Sequence, residues 1–399
     1  MLLTPIVPVP TGNGLAMRAG MQLEALNVSY DVRLVVIPVA GGTRDTGWAE
    51  QRALSVAIVA PGDPQALRAG TVELLGDAVW RDRLRASEPP PHAAALAGPG
   101  MARAVAAAAG EPRDSAVHAF RAYLAPLAVA VAERLGARSS TLDLDDDDAA
   151  AFEARGLEQE ASAYRRLVAT FGPAFAWLSL ASPLEADAVR ARHDLPTVVV
   201  PNAVDTDRGV GRAGRQGGVL RLLLVGNMTY EPNVRAAEVL AVEVLPRVRR
   251  LLPAEIRVEL VGSFEPGGRV AALAAIPGVE LSGYLDDLDG AYARADLVVA
   301  PLGEGGGTRI KILEAFAAGV PVVSTPAGVA GLGVADGREV LLGASPAELA
   351  SAVARIATDE DLAIALAAGA RALVVGQFSR EVVGRRLREL MLEVAPAGG

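Results

Sequence analysis

Short apolar runs recur along the chain, each closed by glycine, proline or a polar turn, with helical spacing between them. Leu2-Leu3-Thr4-Pro5-Ile6-Val7 predicts a buried strand despite its proline, and Pro8 to Gly14 a turn-rich loop. Leu15, Ala19, Leu23 and Leu26 then share one face of a helix, and Val32 to Ile37 is the next strand. Ser55 to Val59 is a further strand candidate, after which Pro61 to Gly110 is helical and irregular by turns. Strands are expected again at Ser115 to Phe120, Arg138 to Leu144, Phe175 to Leu180 and Thr197 to Val200. Helices are expected at Tyr123 to Leu135, Ala149 to Ala169 and Pro183 to Arg192.

The second half alternates more cleanly. Strands are predicted at Val219 to Val225, Ile256 to Val261, Val279 to Leu281, Asp296 to Ala300, Val320 to Ser324 and Val340 to Leu342. Between and after them come helices at Asn233 to Leu252, bent near Pro246, at Val270 to Ala275, Leu285 to Ala295, Thr308 to Ala318, Pro346 to Ala357 and Glu360 to Ala370. A last amphipathic helix runs from Arg380 to about Met391. Repeated βα units predict parallel sheets covered on both faces. The fold class is therefore α/β, with two Rossmann-like domains. The glycine- and arginine-rich segment from Asp207 to Gly218 buries almost nothing and is the expected linker. Ligands are expected outside the carboxyl ends of the strands, facing an interdomain cleft.

Composition narrows the chemistry. The 399 residues suit two or three domains, and 51% hydrophobic with 21% charged residues is a globular balance. There is no cysteine, which excludes disulfides, thiolate nucleophiles and cysteine-ligated metal. The three histidines, His92, His118 and His193, are too scattered for a local metal cluster. No apolar run is long enough to span a membrane, and the first ten residues lack the pattern of a signal peptide. Peripheral membrane association stays open, and a cytoplasmic location is expected. A net charge of −9 argues against nonspecific nucleic-acid binding. Lys311 is the only lysine in the chain. A point charge there in an arginine-rich sequence is either chance or a place where a planar fork does not serve.

The densest chemistry lies at PLGEGGGTRIKILEAFAAGVPVVST, Pro301 to Thr325. Gly305, Gly306 and Gly307 follow a strand and precede a helix, where backbone can approach an anion and unpaired N–H groups are offered to it. Thr308 suits the N-cap. Arg309 and Lys311 fall in the first turn, where the helix dipole disfavours cations. Either they are solvated at a small cost, or a bound anion such as a diphosphate offsets both. Glu314, three residues past Lys311, is either its plain i,i+3 partner or a carboxylate that accepts two ribose hydroxyls. Asp143 to Asp148, DLDDDD, is a solvated helix start or a divalent-metal site.

The Pro301 to Thr325 stretch resembles the donor-binding signature of nucleotide-sugar glycosyltransferases of the GT-B fold, specifically the retaining glycosyltransferase family 4, or group 1. KILEAFAAGVPVVST, Lys311 to Thr325, is similar to the family's LEA-A-G-PVV-T core, in the subset with a GG-R-K-LEA donor motif. The resemblance implies two Rossmann-like domains: 1–206 as the acceptor-binding domain and 219–376 as the nucleotide-sugar-binding domain. It implies that 377–399 is a helix returning toward the first domain. It puts Glu314 on the second glutamate of the family's E-x7-E motif, the ribose ligand. The first glutamate's place is taken by Gly306, with Glu304 two residues too early but able to substitute through the glycine loop, beside Gly307 and Thr308. In LLLVGNMTYEPN the family's diphosphate-clamping arginine and lysine are replaced by Asn227 and Asn233, so Arg309 and Lys311 inherit that task. Gly226 either serves close approach to substrate or simply turns the strand end.

The N-terminal loop PTGNGLAMR places Gly12, Gly14 and Arg18 where family members approach donor phosphates and acceptor. A histidine that often follows the DLDDDD strand in the family is replaced by Asp145 or Asp146, either of which could orient an acceptor hydroxyl. His118 ends a strand expected to open on the cleft and is either structural or part of the site. Asn202 and Asp205 in VVVPNAVD match the family's PNGVD crossover. The function implied is transfer of a sugar from a nucleoside-diphosphate sugar to a small-molecule, lipid-linked or glycan acceptor, with retention, without metal or other cofactor, in bacterial glycan or natural-product synthesis, by a monomer or homodimer. A nucleotide-sugar 2-epimerase and a non-catalytic nucleotide-binding protein of the same fold are the alternatives. A dehydrogenase is disfavoured because no G-x-G-x-x-G with a spaced acidic residue is present.

Overall fold

The computed structural model describes residues 1–60, 82–83, 96, 98–110, 115–207, 218–285, 287–303 and 309–395. The chain forms two compact units. The first comprises residues up to Asn202 together with the segment from Val383, and the second lies between Ala203 and Val382. The expected linker falls almost wholly on 208–217, outside the described residues.

Unit 1 holds a parallel sheet of seven strands: β1 (Leu2–Thr4), β2 (Arg33–Val36), β3 (Ser55–Ile58), β4 (Ala116–Phe120), β5 (Ser139–Asp145), β6 (Leu178–Leu180) and β7 (Thr197–Val199). Their spatial order is β3-β2-β1-β4-β5-β6-β7. Unit 2 holds β8 (Val219–Val225), β9 (Glu255–Val261), β10 (Val279–Gly283), β11 (Leu297–Ala300), β12 (Val322–Ser324) and β13 (Leu341–Leu342), in the order β10-β9-β8-β11-β12-β13. Every strand pair in both sheets is parallel. These are two Rossmann-like units of the GT-B kind. The strand order of each sheet reverses once, between β1 and β4 and between β8 and β11, and the carboxyl ends of those strands flank the crevice where such sheets bind ligands.

The central strands form because they are buried on both faces. Leu222, Leu223, Val298, Val299, Val322 and Val323 are all sealed in one core under the helices of unit 2. Helix α1 (Gly14–Asn27) starts after Gly12, whose φ of 105° only glycine adopts without strain, and the Asn13 side chain caps it by accepting from the Leu15 N–H at 2.9 Å. The helix expected over Ala149 to Ala169 is two helices, Asp148–Glu153 and Glu158–Phe171, because Gly156 turns left-handed at φ 72° between them. The expected bend near Pro246 is a π-helical segment, Val239–Val244, ahead of the helix Leu245–Leu251. Proline cannot donate to the preceding turn, so the helix widens before it.

Helix α2 (Ile310–Ala317) buries Ile312, Leu313 and Phe316 and turns Lys311 and Glu314 to its other face. Its end is a Schellman motif: Val320 N–H donates to Ala315 and Gly319 N–H to Phe316, with Gly319 at φ 69°. Its start corrects the expectation of a helix from Thr308. Arg309 occupies the N-cap and Lys311 the second helical position, while Thr308 lies outside the described residues. The C-terminal helix α3 (Arg380–Val394) packs on unit 1, where Met391 lies 3.4 Å from the Thr141 hydroxyl and Ala395 accepts from the Tyr30 hydroxyl at 2.8 Å.

Candidate functional site

At the crossover of the second sheet, three segments meet. β8 ends into Gly226 and Asn227, β11 ends into the loop that leads to Arg309, and α2 follows. The Asn233 side chain, only 7% exposed, joins them. Its amide nitrogen donates to the Asn227 carbonyl at 2.8 Å, and its amide oxygen accepts from the Lys311 ammonium at 2.6 Å. Gly226 is part of this packing. A Cβ there would stand 2.7 Å from Lys311 Nζ and 3.0 Å from the Asn233 amide, so the position tolerates no side chain without displacing the lysine. Gly262, at the end of β9 with φ 140°, lies against Gly226, whose carbonyl oxygen would be 1.8 Å from an added Cβ.

Among the described residues no carboxylate forms an ion pair with Lys311. Burial, with Arg309 beside it, pulls its pKa down to about 8, and Glu314 counteracts only in part. Arg309 donates to the Ala327 carbonyl at 3.0 Å, which ties it to the loop after β12. The Tyr292 hydroxyl stands 3.3 Å from both the Glu314 carboxylate and the Lys311 carbonyl. The structure therefore brings Gly226, Asn227, Asn233, Arg309, Lys311 and Glu314 together in unit 2. The side chain of Asn227 is spent on its own turn, accepting from the Thr229 N–H and hydroxyl at 3.1 and 2.9 Å. Glu304, Gly306, Gly307 and Thr308 lie outside the described residues.

Unit 1 treats its candidates differently. Arg18 is buried, and both its Nε and Nη2 donate to Asp143 at 2.7 Å. Its remaining donors reach Asn202 at 3.2 Å and the Val200 carbonyl at 2.9 Å. A guanidinium committed in this way ties α1 to β5 and to the chain after β7, and Asp143 is held below the usual carboxylate range by it against the cost of burial. Asn202 also donates to Asp145 at 3.4 Å, so the crossover motif closes the same network.

His118 is the third residue of β4 rather than its end. It is buried, 2.7 Å from the Thr141 hydroxyl and tilted against Trp177, and burial lowers its pKa to about 4. Its ring is neutral at ordinary pH, and its buried Nε2 has no hydrogen-bond partner among the described residues. Asp145 carries a left-handed φ of 68° and accepts from Arg121 at 3.3 Å, with Arg18 also at 3.3 Å. The free oxygen at this strand end belongs instead to Asp146, whose buried Oδ1 has no hydrogen-bond partner among the described residues. Burial and the neighbouring Asp145 push the Asp146 carboxyl well above its ordinary range.

Gly12 and Gly14 lie at the start of α1, in a loop exposed at Thr11 to Asn13. Three residues were not anticipated. Arg121, with φ 82°, pairs with Asp145 and Asp148; Tyr292 faces Glu314; Gly262 backs Gly226. An arginine directly after an apolar strand was the one visible signal among them. Among the described residues no group of three or more histidine, aspartate or glutamate side chains could hold a metal ion, and no helix is long and apolar enough to cross a membrane.

Comparison with known proteins agrees with this division. Residues 220–359 match the family model described as "Glycosyl transferases group 1", a span that contains Gly226, Asn233, Arg309, Lys311 and Glu314. A D-inositol 3-phosphate glycosyltransferase of Corynebacterium jeikeium is 28% identical over 222 residues, 50% of this chain and 52% of the relative. A UDP-N-acetylglucosamine–N-acetylmuramyl-(pentapeptide) pyrophosphoryl-undecaprenol N-acetylglucosamine transferase of Nitrosococcus oceani is 32% identical over 170 residues, 38% of this chain and 44% of the relative. The matches thus span about half the length of these curated relatives. Among solved structures, the Anabaena protein Alr3699/HepE in complex with UDP and glucose has a TM-score of 0.68 at 16% identity, covering 98% of both chains. A sucrose-phosphate synthase from Thermosynechococcus elongatus has a TM-score of 0.70 at 17% identity, covering 100% of this chain and 99% of its own. At such identities the likeness shows the shared GT-B fold.

Proposed function

We propose that the chain is a glycosyltransferase of the group 1 type, which transfers a sugar from a nucleoside-diphosphate sugar to an acceptor hydroxyl with retention of configuration. Unit 2 takes the donor and unit 1 the acceptor. The observation that carries this reading is the Lys311 ammonium: partly buried, beside Arg309, and resting on a neutral amide. A cation in that state lacks a countercharge, and a diphosphate supplies one. UDP appears with two of the proteins similar in sequence or fold, so UDP-sugars are the first donors to test.

In the reaction, the nucleoside diphosphate departs with growing charge on its β-phosphate. Lys311, Arg309 and the start of α2 stabilise that charge, and their preorganisation lowers the barrier. Glu314 accepts the ribose hydroxyls, with the Tyr292 hydroxyl beside its carboxylate to fix its rotamer. No side chain is assigned as a covalent nucleophile. Asp146, just past the end of β5, orients the acceptor through its unpartnered Oδ1.

The test is Lys311→Ala. Initial rates with saturating donor are expected to fall by about 10²-fold or more, the scale for one lost preorganised donor. Melting without ligand should hold or rise slightly, because a desolvated charge leaves the first turn. A variant that melts early yet keeps near-normal kcat would make the lysine structural and sink the diphosphate assignment. Conversion of the donor sugar alone, without acceptor, would instead mark an epimerase.

A further inference from the structure

The contact between Lys311 and Asn233 carries more than a hydrogen bond. A primary amide can face a neighbour with either end, and here the choice is fixed. The Asn227 backbone carbonyl accepts only, so the Asn233 nitrogen must point to it, at 2.8 Å, and the oxygen must point to the lysine, at 2.6 Å. The asparagine itself is held by helix Glu231–Glu238, with its backbone N–H donating to the Tyr230 carbonyl at 2.9 Å. Gly226 closes the space on the other side, where a Cβ would touch the ammonium and the amide together.

We propose that Asn233 is a positioning residue: its amide, locked by the Asn227 carbonyl, aims the Lys311 ammonium at the donor diphosphate while leaving the ammonium's charge uncompensated. This rests on the donor reading above. The reason for an amide is electrostatic. An aspartate of the same shape would form an internal ion pair with Lys311, which the incoming phosphate would then have to break. An alanine would leave the ammonium unaimed. The charged and titratable groups around Lys311 among the described residues are Arg309 at the cap of its helix, Glu314 on the helix and Tyr292 from the helix Asp289–Arg294; the residues contributed by the β8 side, Gly226, Asn227 and Asn233, are all neutral. The low pKa of Lys311 agrees with an acceptor that carries no charge.

Because Lys311 is the only lysine, incorporation of ε-13C-lysine yields one side-chain signal, and its titration can be followed directly in the full chain. Asn233→Ala removes an acceptor that favours the charged form, so the midpoint should fall below the wild-type value. Asn233→Asp adds an anion, so it should rise above it. UDP affinity by calorimetry should weaken in both variants, by about tenfold or more. Asn233→Asp also loses the bond to Asn227, so each measurement is made well below the variant's melting temperature. Opposite shifts of one resonance are not produced by general loosening of the fold.

Midpoints that stay put, or move the same way in both variants, overturn the proposal, as does UDP affinity held within about twofold of wild type. Lys311→Ala separates the two readings. If it binds UDP as tightly as wild type, the donor assignment itself fails. If it loses UDP while both Asn233 variants keep it, only the positioning role fails.

Discussion

At the scale of single residues, the charge on Lys311 depends on pH in a range where the protein can be handled. Its pKa in the fold is about 8, against 10.5 when exposed. Between those values the unfolded chain holds a proton that the folded chain does not, so the burial penalty is fully present below about pH 8 and is relieved as pH rises toward 10.5. Ligand binding runs the opposite way, because the ammonium and not the amine attracts a diphosphate. UDP affinity should therefore be flat up to about pH 8 and then fall by about tenfold per pH unit, until the pKa of the bound state is reached. Calorimetry across this range on wild type and Lys311→Ala checks it; a wild-type profile parallel to that of the variant would show that the lysine is not what titrates. The two cations behind the glycines were legible in the sequence because they violate a local rule, the helix dipole. The contact of Lys311 with Asn233 was not, since Asn233 lies 78 residues away and only the sheet crossover brings it near. What Arg18 and His118 touch was hidden for a related reason. A polar residue near a strand end reads the same whether it faces solvent or, as here, the core.

At the scale of elements, the thirteen strands of the described residues were legible, and most plainly the central ones, because parallel strands buried on both faces must be apolar runs. Helix limits were less so. Gly156 divides one expected helix through a left-handed φ that sequence allows but does not require. The glycines at the ends of β8 and β9 show what such positions can demand. Gly262 combines φ 140° with a Gly226 carbonyl that an added Cβ would approach to 1.8 Å. Both constraints fall on the turn that supports Asn227 and, through it, the Asn233–Lys311 contact. Gly262→Ala should cost roughly 3 kcal/mol or more and abolish UDP binding. Gly267 offers the control: it has φ 76° but open space around the missing Cβ, so Gly267→Ala should cost only about 1–2 kcal/mol and leave UDP affinity intact. Urea unfolding and calorimetry on the pair decide it. Equal stability losses would mean that the close approach to Gly226 carries no energy.

At the scale of the whole molecule, each unit has its own sheet and its own apolar core. The chain passes from the first unit to the second after Asn202 and returns at Val383, so the C-terminal segment stabilises the unit that begins the sequence. The polar centre of unit 1 is the Arg18–Asp143 pair, on which Gln22, Ser179, Asn202 and the Val200 carbonyl converge. These groups come from α1, β5, β6 and the segment after β7, so one guanidinium ties together elements far apart in sequence. Arg18→Met keeps the bulk and removes the charge, which leaves the Asp143 carboxylate buried without its main partner. The expected cost is about 3–5 kcal/mol, the scale for breaking a buried pair from one side. Hydrogen exchange should locate that loss. Protection should drop in α1, β1 and β4 to β7, while β8 to β13 keep theirs, because no residue of the network belongs to unit 2. UDP added to wild type should give the converse, raising protection around β8, α2 and the Glu231–Glu238 helix by mass action on the liganded unit. Should Arg18→Met lower protection equally in both sheets, the units unfold as one and Arg18 holds more than its own unit. A drop confined to β8 to β13 would mean that the arginine acts on the second unit and not on its own.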